Sequence, residues 1–87
     1  MKITLTTLNS RYTHSSIGLR YIYANLQELQ SCTKILEFSI NDAIQTVAEK
    51  LLTNKPDVIG IGVYIWNVSE TAELIHIVKK ISPQTII

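Results

Sequence analysis

The chain has 87 residues, which is enough for one small domain. Hydrophobic residues make up 46% of it, enough for a packed core, and its single cysteine, Cys32, excludes an internal disulfide. The net charge is +1 and the basic residues are scattered, which argues against electrostatic binding of nucleic acid.

The first half of the chain alternates between strand and helix patterns. Residues 2–8 are rich in β-branched side chains and predict a strand. Apolar residues then recur at helical spacing over residues 16–30, and either Ser15 or Ser16 suits the N-cap. Residues 34–40 predict a second strand.

The second half repeats this alternation. Helical periodicity predicts a helix over residues 42–54, with Asn41 as its cap. A continuous apolar run predicts a third strand over residues 57–65, covered by helices on both faces. A third helix is expected over residues 68–81, and residues 84–87 are expected to open a fourth strand.

Alternating strands and helices indicate an α/β fold with a parallel sheet and right-handed crossovers. We expect a Rossmann/flavodoxin-like three-layer domain of strand order 2-1-3-4 over residues 1–87. Because the sequence stops in an apolar, strand-like stretch, we expect a fragment of a longer domain and a homodimer through the exposed sheet edge. The sequence shows no signal peptide and no apolar run of about 18 residues, so a cytoplasmic protein without a membrane partner is expected.

The third strand and its end carry unusual residues. Gly60 and Gly62 lie on one face of the predicted strand, which favours close approach of either a helix or a flat ligand. Tyr64 and Trp66 are two residues apart, so they are predicted to share a strand face. Asn67, with Glu70 three residues later, resembles a capping box.

The loop after the first strand is the second candidate for function. Residues 9–16 are dense in hydroxyl, amide and imidazole groups and lead into a helix N-terminus, which suits an anion such as phosphate. The alternative is a solvated connection whose serine and threonine residues merely cap the helix. The guanidinium of Arg11 suits either pairing with a bound phosphate or carboxylate or exposure to solvent as a loop charge. His14 has no partner at ligand spacing, so hydrogen bonding is preferred over metal ligation.

Strand order 2-1-3-4 places this loop beside the turn at residues 64–67, at the switch point where open α/β sheets bind ligands. The sequence excludes several common types of nucleotide-binding, catalytic and cluster-binding site. No Walker A or G-x-G-x-x-G motif follows the first strand, and no acidic cluster does so either. No nucleophilic triad and no cysteine set for an iron–sulfur cluster is present.

Five segments of the chain resemble the N-terminal cobalamin-binding domain of B12-dependent radical SAM proteins. The matching strings are LNSRY at 8–12, HSS at 14–16, EFSIN at 37–41, PDVIG at 56–60 and YIWN at 64–67. Their order and spacing match over nearly the whole chain. The cobalamin-binding Asp-x-His-x-x-Gly signature is not met around His14, since Tyr12 and Ile17 stand at its Asp and Gly positions.

The resemblance implies a Rossmann-like cofactor-binding module that holds cobalamin at the carboxyl edge of the sheet. It implies a downstream radical SAM domain of the same polypeptide, of methyltransferase or cyclase type, with a 4Fe-4S cluster and S-adenosylmethionine outside this chain. The fragment alone is not expected to be catalytic, and no residue is assigned as a direct metal ligand. The implied cofactor-binding residues are Asn9, Ser10, Arg11, Tyr12, His14, Ser15, Ser16, Ser39, Asn41, Tyr64, Trp66 and Asn67.

Two other functions remain open from the residues themselves. One is a flavodoxin-like domain that binds FMN or another phosphate-bearing ligand at the first loop. The other is a structural domain without a ligand, in which Tyr64 and Trp66 would be buried under the third helix.

Overall fold

Three parallel strands form the centre of the molecule. They are β1 (Ile3–Asn9), β2 (Thr33–Ser39) and β3 (Val58–Gly62). The main helices are α1 (Ile17–Ala24), α2 (Ile44–Thr53) and α3 (Val68–Ile81), and short 3-10 helices cover Gln27–Cys32 and Ile65–Asn67. The computed structural model describes residues 1–10 and 17–87. No helix in these two ranges has the length and apolar character needed to cross a membrane.

The strand order is β2-β1-β3, as the sequence predicts for the first three strands. β1 is parallel to both neighbours, and its register places Asn9 beside Ser39 and Thr7 beside Gly62. All three strands therefore end at one edge of the sheet, which we call the rim. The carboxyl ends of β1 and β3 thus lie side by side.

One face of the sheet packs against α2 and α3. The buried core there consists of Leu8 and Ile59 from the strands, and Val47, Ala48, Leu51, Leu74 and Val78 from the helices. Leu36 and Phe38 pack against the same core, so strand alternation directs Glu37 to the opposite face. Arg20 of α1 pairs with Glu37 at 2.9 Å. α1 therefore lies on the second face of the sheet, opposite α2 and α3.

The predicted fourth strand over residues 84–87 is not present. The chain turns after α3, where the Thr85 N–H donates to the Ser82 carbonyl at 3.1 Å. After this turn, Ile86 forms an isolated parallel bridge with Val58. Ile86 thus lies beside β3, where the fourth strand was expected, without forming a strand there.

The predicted boundaries of two helices are also wrong. The helix expected over residues 16–30 ends at Ala24, because the Asn25 side chain donates to the Tyr21 carbonyl at 2.8 Å and Gln27 adopts a positive φ of 53°. The helix expected from residue 42 begins at Ile44, with Ala43 rather than Asn41 at its N-cap. Asp42 instead accepts the Ser39 N–H at 2.9 Å in the turn after β2.

Candidate functional site

The rim brings together the ends of the strands that the sequence singles out. Asn9 and Ser39 are the last residues of β1 and β2. β3 ends at Gly62 rather than residue 65, so Tyr64 and Trp66 lie outside the strand. We call residues 64–67 the aromatic turn, since Tyr64 leads into the 3-10 helix Ile65–Asn67. The aromatic turn comes after Val63, which follows β3. It lies beside the end of β1, where Asn67 is bonded to Leu8.

Tyr64 and Trp66 are stacked on each other. Their ring centroids are 4.6 Å apart and their planes differ by only 3°. The prediction that they share a strand face is wrong, because the 3-10 turn and not strand alternation brings them together. Trp66 is 48% exposed, which argues against the structural alternative, in which both aromatics would be buried under α3.

The two glycines of β3 make room for side chains of the protein itself. A Cβ atom at Gly62 would lie 3.5 Å from Cε2 of Tyr64 and 3.3 Å from Oγ1 of Thr7. A Cβ atom at Gly60 would lie 2.9 Å from Cδ2 of Leu5. The sequence suggested a helix or a flat ligand here, but Leu5 and Thr7 of β1 and the Tyr64 ring occupy this space.

Asn67 is fully buried at the base of the aromatic turn. Its Oδ1 accepts the Tyr64 N–H at 2.8 Å, and its Nδ2 donates to the Leu8 carbonyl at 2.9 Å. The predicted capping box with Glu70 is wrong, because the Asn67 side chain makes no capping bond to α3. Its amide instead connects the turn to the neighbouring strand.

An apolar surface borders the aromatic stack. Ile65 is 97% exposed, and Val63 and Val68 are each at least half exposed. With Trp66, they place four exposed apolar side chains within residues 63–68 at the rim. Such a patch marks a surface for a ligand or a partner. The apolar character of residues 63–68 is the sequence signal that could have identified Val63, Ile65 and Val68.

Polar groups occupy the β1 and β2 side of the rim. Asn9 donates through Nδ2 to Oε1 of Glu37 at 3.2 Å, and the same carboxylate pairs with Arg20. Oγ of Ser39 accepts the Asn41 N–H at 3.1 Å. Asn41 is exposed and Ser39 is half-buried. These residues therefore present hydrogen-bonding groups at the β1 and β2 ends of the rim, whereas the apolar surface follows β3.

The remaining predicted residues are in the first loop. Ser10 is half-buried and already engaged in an interaction within the protein. Arg11, Tyr12, His14, Ser15 and Ser16 lie outside the described residues. Within residues 1–10 and 17–87, no group of three histidine, cysteine, aspartate or glutamate side chains is suited to hold a metal ion.

A cleft of about 510 Å³ lies at the opposite edge of the sheet, between the ends of α2 and α3. Its lining includes Lys55, Asp57 and Ser82. Asp57 is already engaged by the Lys2 N–H at 2.8 Å. This cleft is remote from the aromatic turn and was not identified from the sequence.

A comparison against protein families identifies the class of this domain. The model of the B12 binding domain matches residues 3–87. The chain belongs to the B12 binding domain family. No curated protein and no solved structure matches it. The family match confirms the cobalamin-binding class expected from the resemblance and fits the parallel α/β architecture of this B12-binding domain.

Proposed function

We propose that this B12-binding domain binds cobalamin at the rim, with the aromatic stack and its apolar neighbours against the corrin. The observation that carries the proposal is the exposed apolar surface of Val63, Ile65, Trp66 and Val68 at the carboxyl ends of parallel strands. In open α/β sheets this edge is where ligands bind. Bound cobalamin would supply a cobalt centre for group transfer or radical chemistry.

The residues at the rim fit a ligand of this kind. A corrin is a broad, flat macrocycle with apolar faces and polar amides at its periphery. The flat, half-exposed ring of Trp66 and the exposed side chain of Ile65 suit the apolar faces. Asn41 and Ser39 offer hydroxyl and amide groups for the periphery. The loop residues Arg11, Tyr12, His14, Ser15 and Ser16 are proposed to complete the site.

Trp66 provides a direct assay because it is the only tryptophan in the chain. Cobalamin absorbs light where tryptophan emits, so binding at the rim should quench Trp66 fluorescence in a saturable manner. We expect titration of the 87-residue chain with hydroxocobalamin to give saturable quenching after inner-filter correction. Free tryptophan at the same absorbance is the control, and equal quenching of both would contradict the proposal.

Two isoleucines offer a matched test of location. Ile65 is 97% exposed at the rim, whereas Ile81 is 62% exposed at the end of α3, beside the remote cleft. Burying an aliphatic side chain contributes about 1.5–3 kcal/mol when burial is complete. Ile65→Ser should therefore weaken hydroxocobalamin binding about fivefold or more, and Ile81→Ser should leave it unchanged. Equal effects of both substitutions would place the ligand elsewhere.

We also propose that the domain serves a B12-dependent radical SAM protein. The support is the resemblance of five segments, including YIWN at residues 64–67, to the N-terminal domain of such proteins. The 4Fe-4S cluster and S-adenosylmethionine would then belong to a downstream domain, which would act on the substrate. The gene sequence tests this: a Cys-x-x-x-Cys-x-x-Cys motif downstream of residue 87 supports it, and a stop codon directly after that position contradicts it.

Two further expectations stand as proposals. A cytoplasmic location is testable by cell fractionation. Pairing of two copies through the exposed sheet edge is testable by light scattering, in which a monomer at high concentration would contradict it.

A further inference from the structure

The side chain of Asn67 makes hydrogen bonds to residues of four structural elements, although none of its surface is exposed. Its Oδ1 accepts the Tyr64 N–H at 2.8 Å and the Thr71 hydroxyl at 3.3 Å. Its Nδ2 donates to the Leu8 carbonyl at 2.9 Å, with longer contacts of 3.4 Å to Oγ1 of Thr7 and to the Gly62 carbonyl. One amide thus connects β1, β3, the aromatic turn and α3.

The amide suits these partners because it has a donor and an acceptor at fixed positions. A carboxylate would retain the acceptor for the Tyr64 N–H but would direct a second oxygen at the Leu8 carbonyl. An aliphatic side chain of similar size would leave the Tyr64 N–H and the Leu8 carbonyl without this partner. Leaving a buried polar group unsatisfied is costly.

Asn67 also holds the aromatic turn at both ends. The Asn67 N–H donates to the Tyr64 carbonyl at 3.0 Å, while the side chain accepts the Tyr64 N–H. Tyr64 and Asn67 are therefore joined by two hydrogen bonds, and Trp66 lies between them in the chain. The bond to Leu8 then fixes this closed turn against the end of β1.

We propose that Asn67 is a positioning residue that orients the Tyr64–Trp66 stack and thereby sets the affinity of the rim for cobalamin. This inference rests on the proposed function for its ligand. It gives Asn67 a different role from the other residues of the rim: Asn67 acts through the aromatic turn and does not touch the ligand. The geometry of the stack before ligand is added is therefore the property that Asn67 controls.

The test compares Asn67→Asp and Asn67→Leu with the control Thr71→Val. Thr71 is also buried, and its substitution removes one bond to Asn67 from α3 while leaving the bonds to Tyr64 and Leu8. Near-UV circular dichroism without ligand reports the stack, and Trp66 quenching by hydroxocobalamin reports affinity. Both the near-UV signal and the quenching are measured under conditions in which far-UV circular dichroism shows each variant to be folded.

We expect both Asn67 variants to lose most of the near-UV signal and to bind hydroxocobalamin about tenfold more weakly, the factor set by loss of one net hydrogen bond. Thr71→Val should keep both the signal and the affinity, even if its unfolding temperature falls. A purely structural role predicts lower unfolding temperatures with unchanged signal and affinity in the folded variants, and that result would overturn the inference.

A measurement on the unaltered chain covers the case in which the variants do not fold. The Tyr64 N–H and the Asn67 side-chain amide protons should exchange slowly with solvent. Rapid exchange of both would overturn the inference without any substitution. If the unaltered chain shows no quenching by hydroxocobalamin, the proposed function fails, while the near-UV signal and the exchange rates still decide the positioning role.

Discussion

The ring of Tyr64 lies against Gly62, since a Cβ atom at Gly62 would be in van der Waals contact with Cε2 of Tyr64 at 3.5 Å. The same atom would be 3.3 Å from Oγ1 of Thr7, so the position is bounded by β1 on one side and by the aromatic ring on the other. The absence of a side chain at Gly62 thus connects the end of β3 to the arrangement of the stack.

Gly62→Val should displace the Tyr64 ring, because two methyl groups beyond Cβ have no room between Thr7 and the ring. Overpacking of this kind costs about 1–3 kcal/mol. We expect a lower unfolding temperature, a changed near-UV circular dichroism signal and weaker quenching of Trp66 by hydroxocobalamin.

Gly60→Ala is the control for this substitution. Its Cβ would lie 2.9 Å from Cδ2 of Leu5, so it also disturbs β3, but away from the aromatic turn. Its near-UV signal and hydroxocobalamin affinity should match those of the unaltered chain. A loss of both in Gly60→Ala would show that the stack responds to any disturbance of β3.

β1 contains two buried hydroxyl groups that have no hydrogen-bond partner among residues 1–10 and 17–87. Thr4 and Thr6 are buried, and the Oγ1 atom of each has no hydrogen bond within the described part of the protein. Burying a hydroxyl without a partner costs about 1–3 kcal/mol in protein mutational data. Thr4→Val and Thr6→Val should each raise the free energy of unfolding by about 1 kcal/mol, measured by urea denaturation.

Thr7→Val is the matched control on the same strand. The Thr7 hydroxyl donates to the Gly62 carbonyl at 2.7 Å, so its loss should lower the free energy of unfolding by about 1 kcal/mol. The free energy of unfolding should therefore fall in Thr7→Val and rise in Thr4→Val. Destabilisation of similar size at all three positions would contradict the assignment of Thr4 and Thr6 as unpartnered.

The fold was largely predictable from the sequence because apolar periodicity reports which faces are buried. The pattern at Val47, Ala48 and Leu51 fixed α2, and these residues are in the core. The order of the first three strands was expected from the flavodoxin-like arrangement common to short parallel α/β chains, and the structure has that order. The neighbouring placement of β1 and β3, on which the site depends, was therefore predictable.

The details of the site were not predictable for a different physical reason. Strand alternation placed Tyr64 and Trp66 on one face, but apolar periodicity does not show that hydrogen bonding ends β3 at Gly62. Asn67 was expected to cap α3, since asparagine favours N-caps. It does stand at the N-cap position, but its side chain makes no capping bond. Its bond to Leu8 joins residues 59 positions apart, and a local pattern contains no signal for such a contact.

The ion pair between Arg20 and Glu37 joins α1 to β2 at 2.9 Å. Arg20 is about half exposed, so solvent weakens the pair, and exposed pairs contribute about 0.2–1 kcal/mol. Arg20→Gln should lower the free energy of unfolding by less than about 1 kcal/mol, and the difference should shrink as salt is added. Lys34→Gln, an exposed change on β2, is the control, and an Arg20 effect independent of salt would contradict this reading.

Lys79 holds the end of the chain beside β3. Its Nζ donates to the carbonyls of Pro83 at 2.9 Å and Thr85 at 2.7 Å. The turn that these bonds stabilise places Ile86 where its N–H donates to the Asp57 carbonyl at 2.9 Å, and where its carbonyl accepts the Ile59 N–H at 2.7 Å. The ammonium of Lys79 therefore supports the two hydrogen bonds that attach the terminal segment to the sheet.

Lys79→Met retains the aliphatic stem and removes the donor, so the turn should open more often at a cost of about 1 kcal/mol. Native-state hydrogen exchange should show faster exchange at the N–H groups of Ile86 and Ile59, with little change in the β1–β2 pairing. Lys80→Met is the control, since it removes an equal charge from the next, exposed position of α3. Equally faster exchange in both variants would mean that net charge, and not the bonds to Pro83 and Thr85, determines how often this segment opens. Faster exchange in Lys79→Met alone would establish the anchoring role.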